Sequence, residues 1–150
     1  MTEHKWHKRV REEYVERFKK LGFIVYSSHT NISKLELFRE EVKRQNCLSD
    51  ADIVVLDSEN EKIEQIIEVE TAMNPKKLIG IVLATHFCDR CRIKKKDYPL
   101  KNISLKIVCK KAKEKSKKGM KLEVIKNPLE GIIRNRKEGC LSKFDMEEHI

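Results

Sequence analysis

Residues 49–71 read SDADIVVLDSENEKIEQIIEVET, which is two apolar runs joined by a polar segment. Asp52 opens the first run, and the second run ends in the acids Glu68 and Glu70. The polar residues 57–61 predict a turn that folds the second strand back on the first. Because strand side chains alternate between faces, Glu68 and Glu70 point the same way, about 7 Å apart. Three carboxylates are therefore expected on one face of a small sheet, a density that suits a hard cation such as Mg²⁺.

The segments around this hairpin alternate between helix and strand patterns. Apolar residues recur every three or four positions from Trp6 to Leu21, and Gly22 then ends the helix. The remaining predicted elements are a strand over 23–26, a helix over about 32–45, a helix over about 75–88, a basic loop from 90 to 96, a strand over about 103–109, a short strand at 120–124 and a short helix around 129–133. Residues 136–150 show no clear pattern. This order predicts an α/β fold in which helices flank a mixed central sheet.

Composition narrows the class of protein. A chain of 150 residues is expected to form one domain, 1–150, with a core over about 5–109 and a C-terminal extension over 110–150. Its net charge of +9 suggests a polyanionic partner, although a charge-rich surface also serves solubility or thermostability. The chain has no apolar window of ~20 residues and no signal peptide pattern, so we expect a cytoplasmic protein with reduced cysteines and no membrane partner.

The order of elements, together with these acids, resembles the PD-(D/E)XK nuclease superfamily. The opening RVREEYVERFKKLGFIVY at residues 9–26 is similar to the start of archaeal Holliday-junction resolvases and Mrr-like nucleases. The likeness covers roughly residues 5–109. It implies a restriction-endonuclease-like mixed central sheet flanked by helices, and a metal-dependent endonuclease that hydrolyses DNA phosphodiester bonds with Mg²⁺ or Mn²⁺.

By this resemblance, two acids of the hairpin would be metal ligands. Asp52 and Glu68 would bind the ion, and the carbonyl of Val69 would face it. Glu13 could reach the same ion from the first helix, as a helix acid does in several relatives. A Mg²⁺ held there would polarise a phosphate oxygen and lower the pKa of a bound water.

The motif departs from the family at its last position, where Glu70 replaces the family's Lys. Some type II restriction enzymes carry Glu there and remain active, and inactive members also exist. The Lys can also come from a neighbouring element, and Lys76 and Lys77 at the start of the next helix are the candidates. The expected catalytic residues are Asp52, Glu68, Glu70 and Lys77. A catalytically inactive module that binds nucleic acid or protein is the alternative on the same fold.

Basic residues outside the hairpin would hold the nucleic acid. Contacts to phosphates make such binding weaken with salt. The residues assigned to this surface are Lys8, Arg9, Lys94, Lys95 and Lys96. Members of this fold often dimerise, so a homodimer is a further expectation, although the sequence shows no interface.

His86, Cys88 and Cys91 form a second group of residues that can bind a metal, in this case Zn²⁺. No second C-x-x-C or paired His follows, so Cys47 or Cys109 would have to complete the site. The alternative is that His86 and Cys88 pack at the end of a buried helix.

Overall fold

The computed structural model describes residues 4–28, 34–41, 48–111, 122–136 and 138–150. These ranges contain three helices and nine strands. In chain order they are α1 (Lys5–Lys20), β1 (Ile24–Ser27), β2 (Leu35–Phe38), β3 (Ser49–Ala51), β4 (Ile53–Leu56), β5 (Ile63–Glu70), α2 (Pro75–Phe87), β6 (Arg90–Ile93), β7 (Lys96–Pro99), β8 (Ile103–Lys110), α3 (Leu122–Asn135) and β9 (Leu141–His149). None of the three described helices combines the length and the apolar run that crossing a membrane requires.

A five-stranded mixed sheet forms the centre of the molecule, in the order β1-β4-β5-β8-β9. β1, β4 and β5 are antiparallel neighbours, whereas β5, β8 and β9 run parallel. Parallel neighbours need a crossover connection, and α2 and α3 lie in those two connections. The predicted α/β fold with a mixed central sheet flanked by helices is confirmed. The acidic hairpin β4–β5 and the helices predicted over 3–21 and 75–88 are confirmed with it.

Apolar clusters cover both faces of this sheet. On one face, α1 packs Trp6, Val10 and Tyr14 against Ile67 and Val69 of β5. On the other face, a larger cluster joins α2, α3 and a second sheet to β5 and β8. The central strands are therefore covered on both sides, which explains why every residue of β4 is buried.

The second sheet has the order β3-β2-β6-β7 and is antiparallel throughout. Only Asp52 separates β3 from β4, so the chain passes from the second sheet into the central sheet at this residue. The carbonyl of Asp52 accepts a hydrogen bond from the Ser28 N–H at 3.0 Å, just after β1. The position of Asp52 is thus defined by both sheets.

The helix predicted over about 32–45 is wrong in the described part of that range, residues 34–41. Leu35–Phe38 form β2, which pairs with β3 and β6. Leu35 and Leu37 are both fully buried, and a spacing of two places side chains on one face of a strand rather than a helix. The rest of the predicted helix, 32–33 and 42–45, lies outside the described residues.

The predicted basic loop from 90 to 96 is instead the hairpin β6–β7. Cys91 and Ile93 alternate into the core, and Lys94 and Lys95 form the two-residue turn with φ of 49° and 68°. Positive φ at both turn positions is type I′ geometry, for which Asn-Gly is the usual sequence. Two lysines in these positions carry no turn signal, which is why the hairpin was not predicted.

The short strand predicted at 120–124 is also wrong, because Leu122 and Val124 lie in α3. Met120 lies outside the described residues. α3 continues through Pro128 and contains the predicted helix around 129–133. Its buried residues, at intervals of four, are Ile125, Leu129 and Ile133.

Residues 141–149 form β9, although no pattern was expected after residue 135. β9 lies parallel to β8 at the edge of the central sheet and buries Leu141, Phe144 and Met146. Residues 122–149 were counted in a C-terminal extension, and the structure shows that α3 and β9 contribute to the same core and the same sheet.

Candidate functional site

One cavity, with a volume of about 460 Å³, collects all the predicted catalytic and metal-binding residues except Glu13. Its wall includes five titratable side chains on which the site depends: His7, Asp52, Glu68, Glu70 and Lys77. In the hairpin β4–β5, Ile53 lies opposite Ile67, so the next pair along the two chains is Asp52 and Glu68. Ile67 and Val69 face α1, and the alternation of β5 therefore sends Glu68 and Glu70 to the other side, where the cavity lies.

Asp52 is held at the entrance of β4 by its neighbours in the cavity. Its Oδ2 atom accepts a hydrogen bond from the Val69 N–H at 2.8 Å. The same oxygen lies 3.4 Å from Nε2 of His7. The carboxylate is thus aimed at the end of β5, beside Glu68.

Glu68 is the most unusual residue of the site. It is only 4% exposed, and its buried Oε1 atom has no hydrogen-bond partner within the described ranges of the chain. Burial raises the pKa of Glu68 well above its usual value, and the neighbouring charge of Asp52, a hydrogen bond to Asp52 and the charge of Glu70 raise it further. A buried carboxylate oxygen without a hydrogen bond is unfavourable in a folded protein, and in a cavity either a water or a bound ligand can satisfy it.

Glu70 and Lys77 form an ion pair on the wall of the same cavity. Lys77 Nζ lies 2.8 Å from Oε2 of Glu70. Lys77 stands in the first turn of α2, which begins at the cap Asn74, and this hydrogen bond to Glu70 is the main cause that raises the pKa of Lys77. A cation near a helix N-terminus is disfavoured by the helix dipole, so the helix itself gives no reason for a lysine here. Of the two lysines considered, Lys77 lines the cavity and Lys76 is not on its wall.

No protein-family model, curated protein or solved structure matches this chain. Inference about function therefore depends on the chemistry of the cavity. That chemistry consists of the buried acid Glu68, three further carboxylates, a histidine and a lysine, all lining one cavity.

Two titratable residues of the cavity were not assigned to the site from the sequence. Asp50 lies in β3 and lines the cavity two residues before Asp52. His7 comes from α1, far from the hairpin in sequence, and no local spacing connects it to Asp52. The sequence feature that could have identified Asp50 is its spacing of two residues from Asp52. His7 could be identified only from the packing of α1 on the sheet.

Glu13, predicted as a metal ligand, is not brought to the cavity. Its carboxylate lies 3.0 Å from Nε2 of His149 and 3.5 Å from Nη2 of Arg17. His149 ends β9, at the opposite edge of the central sheet from β1. The Glu13 carboxylate therefore lies near the β9 edge of the central sheet, outside the cavity.

The His86 group is packed into the core rather than arranged around a metal. His86 Nδ1 accepts a hydrogen bond from the Leu141 N–H at 3.1 Å, and Nε2 lies 3.1 Å from the Arg136 carbonyl. Both ring nitrogens are therefore occupied by backbone groups. Cys88 and Cys91 are buried. Among the described residues, no group of three or more His, Cys, Asp or Glu side chains is placed to hold a metal ion as it stands.

The thiols share this buried character. The side chains of Cys88, Cys91, Cys109 and Cys140 are all buried. Burial raises the pKa of Cys109 and of Cys140 to about 12. Cys47 lies outside the described residues.

The residues predicted to bind nucleic acid fall on two elements. Lys8 and Arg9 are exposed on α1, and the Arg9 guanidinium donates a hydrogen bond to the carbonyl of Ile150. Lys94, Lys95 and Lys96 form the tip of the β6–β7 hairpin, where Lys96 Nζ lies 3.4 Å from Oε2 of Glu61.

Proposed function

We propose that this protein is a metal-dependent endonuclease with a restriction-endonuclease-like fold, which hydrolyses DNA phosphodiester bonds at the Asp52–Glu68 cavity. The single observation that carries the proposal is the buried carboxyl group of Glu68 in the wall of a cavity shared with Asp52, with an Oε1 atom that has no partner among the described residues. The mixed sheet, with three antiparallel strands followed by parallel ones, supports the same proposal.

The residues present fit a Mg²⁺ or Mn²⁺ ion. Asp52 and Glu68 would hold it, with the backbone of Val69 also on the cavity wall. Magnesium commonly takes only one or two protein carboxylates and keeps several waters, so two acids suffice. When bound, the ion would polarise a phosphate oxygen and lower the pKa of an attacking water. Burial and the charges of Asp52 and Glu70 raise the pKa of Glu68, and the ion would neutralise these charges.

The other cavity residues have separate tasks. Lys77 is cationic at neutral pH like any ordinary lysine, and its hydrogen bond to Glu70 raises its pKa further, so it is suited to stabilise negative charge on the phosphate rather than to remove a proton. Glu70 is the candidate acceptor for the proton of the attacking water. Its ion pair with Lys77 keeps its carboxylate in place at the end of β5.

We predict that Asp52→Asn and Lys77→Met each lower Mn²⁺-dependent cleavage of DNA by about 10²-fold or more, because each removes charge stabilisation from the site. The assay uses linear, branched and single-stranded DNA with Mg²⁺ or Mn²⁺. Lys76→Met and Glu64→Gln are matched controls. Lys76 is exposed beside Lys77 in α2, and Glu64 is exposed in β5. We expect the two controls to cleave like the wild type.

An inactive binding module is the second candidate, and the replacement of the family's Lys by Glu70 favours it. If none of the DNA substrates is cleaved with either ion, and calorimetry shows no binding of Mg²⁺ or Mn²⁺ that Asp52→Asn removes, this candidate replaces the nuclease. Binding of DNA without cleavage would then define its activity.

DNA contact by the hairpin tip can be tested without disturbing the fold. Lys94→Asn combined with Lys95→Gly gives the preferred type I′ sequence, so the free energy of unfolding should stay the same or rise. If both lysines contact phosphates, the slope of log affinity against log salt falls by about 2. Lys19→Gln with Lys20→Gln, at the end of α1, is the charge-matched control. Equal losses of slope in the two double variants would rule out a specific role for the hairpin.

The homodimer stays a prediction. The part of the described surface best suited to a second copy is the outer face of α2, where Ile79, Leu83 and Phe87 are 40%, 41% and 49% exposed. Leu83 and Phe87 also line a larger cavity, of about 1080 Å³, whose wall carries charges of both signs on Arg39, Glu41, Arg136 and Glu138. Mixed charges around an apolar stripe are compatible with a self-complementary interface.

A further inference from the structure

We propose that His7 is a third protein ligand of the metal ion in this cavity, and that the site therefore favours a first-row transition-metal ion over Mg²⁺. The inference rests on the proposed function, because Asp52 and Glu68 are taken as the other two ligands. It adds a nitrogen donor to a site that the sequence analysis described in terms of oxygen donors only.

The position of His7 supports this role. Its Nε2 atom lies 3.4 Å from Oδ2 of Asp52, and its side chain is 14% exposed. His7 lines the same cavity as Glu68, whose Oε1 atom lacks a partner in the part of the chain that the structure describes. A nitrogen donor and an unsatisfied carboxylate oxygen therefore flank Asp52 in one cavity. The contact with Asp52 places the His7 imidazole within reach of an ion that Asp52 binds.

α1 holds His7 in place from both sides. His4 caps the helix and accepts a hydrogen bond from the Trp6 N–H at 3.2 Å. Trp6 and Val10, one before and three after His7, are buried against the central sheet. Because the helix is anchored there, the imidazole loses little freedom when it binds an ion, which favours binding.

The chemistry of the donors sets the metal preference. Mg²⁺ is bound almost entirely by oxygen, whereas imidazole suits first-row transition metals. One imidazole with two carboxylates is therefore a poorer site for Mg²⁺ than for ions such as Mn²⁺, which also accepts carboxylates readily. The paramagnetism of Mn²⁺ makes it the practical probe.

A second histidine–carboxylate pair in the molecule serves as the matched control. His149 Nε2 lies 3.0 Å from Oε2 of Glu13, a contact of the same chemical kind. This pair lies outside the cavity, and the Glu13 side chain is 45% exposed. His149→Gln removes an equivalent imidazole without touching the proposed site.

The test is pulsed electron paramagnetic resonance of the full-length protein loaded with Mn²⁺. We expect a nitrogen coupling typical of imidazole in the wild type, its loss in His7→Gln and its persistence in His149→Gln. Labelling the histidines with ¹⁵N should change this coupling, which shows in the wild type that the nitrogen belongs to a histidine; His7→Asn assigns it to His7 if His7→Gln does not fold. By calorimetry, Mn²⁺ should bind the wild type about tenfold or more tightly than Mg²⁺, and His7→Gln should reduce that ratio.

The outcomes separate this inference from the proposed function. If Mn²⁺ binds, Asp52→Asn abolishes the binding, and no imidazole coupling is seen, then His7 is not a ligand and the metal-dependent nuclease stands. A coupling that survives in His7→Gln would equally overturn the role of His7. If the wild type binds neither ion, both proposals fail together.

Discussion

Glu68→Gln will stabilise the folded protein at neutral pH and at the same time weaken the binding of Mn²⁺. The expected gain in the free energy of unfolding is about 1 kcal/mol or more, since each unit by which a pKa is raised disfavours the ionised form by ~1.4 kcal/mol. The gain arises because Glu68 is 4% exposed, and burial and the charge of Asp52 disfavour its ionised form. The loss of a ligand should lower the affinity for Mn²⁺ by at least the roughly 100-fold that even an outer-shell partner can cost.

The stabilisation should depend on pH in a defined direction. The pKa of Glu68 is raised in the folded protein above its usual value of 4.5. Between that value and the raised pKa, the folded state binds more protons than the unfolded state, so the stability of the wild type falls as pH rises through this window. Below pH 4.5 the acid is protonated in both states, and the advantage of Gln should disappear. Denaturant unfolding from pH 4 to pH 8 measures this difference.

Glu64→Gln, on the exposed side of the same strand, is the control for both effects. It should change neither the metal affinity nor the slope of stability against pH. A Glu68→Gln variant that is less stable at pH 8, or that binds Mn²⁺ as tightly as the wild type, would contradict the assignment of Glu68 as a buried metal ligand.

The second large effect is expected where the end of α2 meets the start of β9. A Cβ at Gly139 would overlap the ring of His86, so Gly139→Ala should destabilise the protein by about 1–3 kcal/mol through overpacking. His86→Ala removes the acceptor of the buried Leu141 N–H and leaves a cavity, which should cost about 3 kcal/mol or more. Denaturant unfolding of both variants gives these values.

The double variant tests whether the two residues act through one contact. Because His86→Ala makes room for a methyl group at residue 139, the combined loss should be smaller than the sum by about 0.5–3 kcal/mol. Gly131→Ala, inside α3 and with open space at its Cβ, should instead stabilise by about 0.5–1 kcal/mol. Strict additivity of the two losses would show that His86 is not the packed core residue described above. Stoichiometric zinc in the purified protein, released by Gly139→Ala, would show the same.

Local patterns predicted those parts of the fold in which one period dominates the sequence. α1 and α2 have helical spacing with recognisable ends, and the acidic hairpin has two apolar runs around a polar turn. The second sheet was missed because its short strands carry misleading signals. Leu35 and Phe38 also fit a helical spacing, and the turn of the β6–β7 hairpin is formed by lysines at positive φ.

The same limit applies to the site. Asp52, Glu68 and Glu70 could be predicted together because the pairing of one hairpin brings them close. Lys77 could be proposed because it lies in the first turn of the helix that follows Glu70 in the sequence. The approach of His7 and the distance of Glu13 depend on how α1 lies across the sheet, and no spacing within α1 contains that information.

The buried thiols have a consequence for the chemical durability of the protein. Oxidants and alkylating agents attack the thiolate, and a thiol with a pKa of about 12, as in Cys109 and Cys140, is almost entirely protonated at neutral pH. Since these side chains are also shielded from solvent, reagents should modify them mainly after the chain unfolds. The rate at which these two thiols are labelled therefore measures how often the core opens globally.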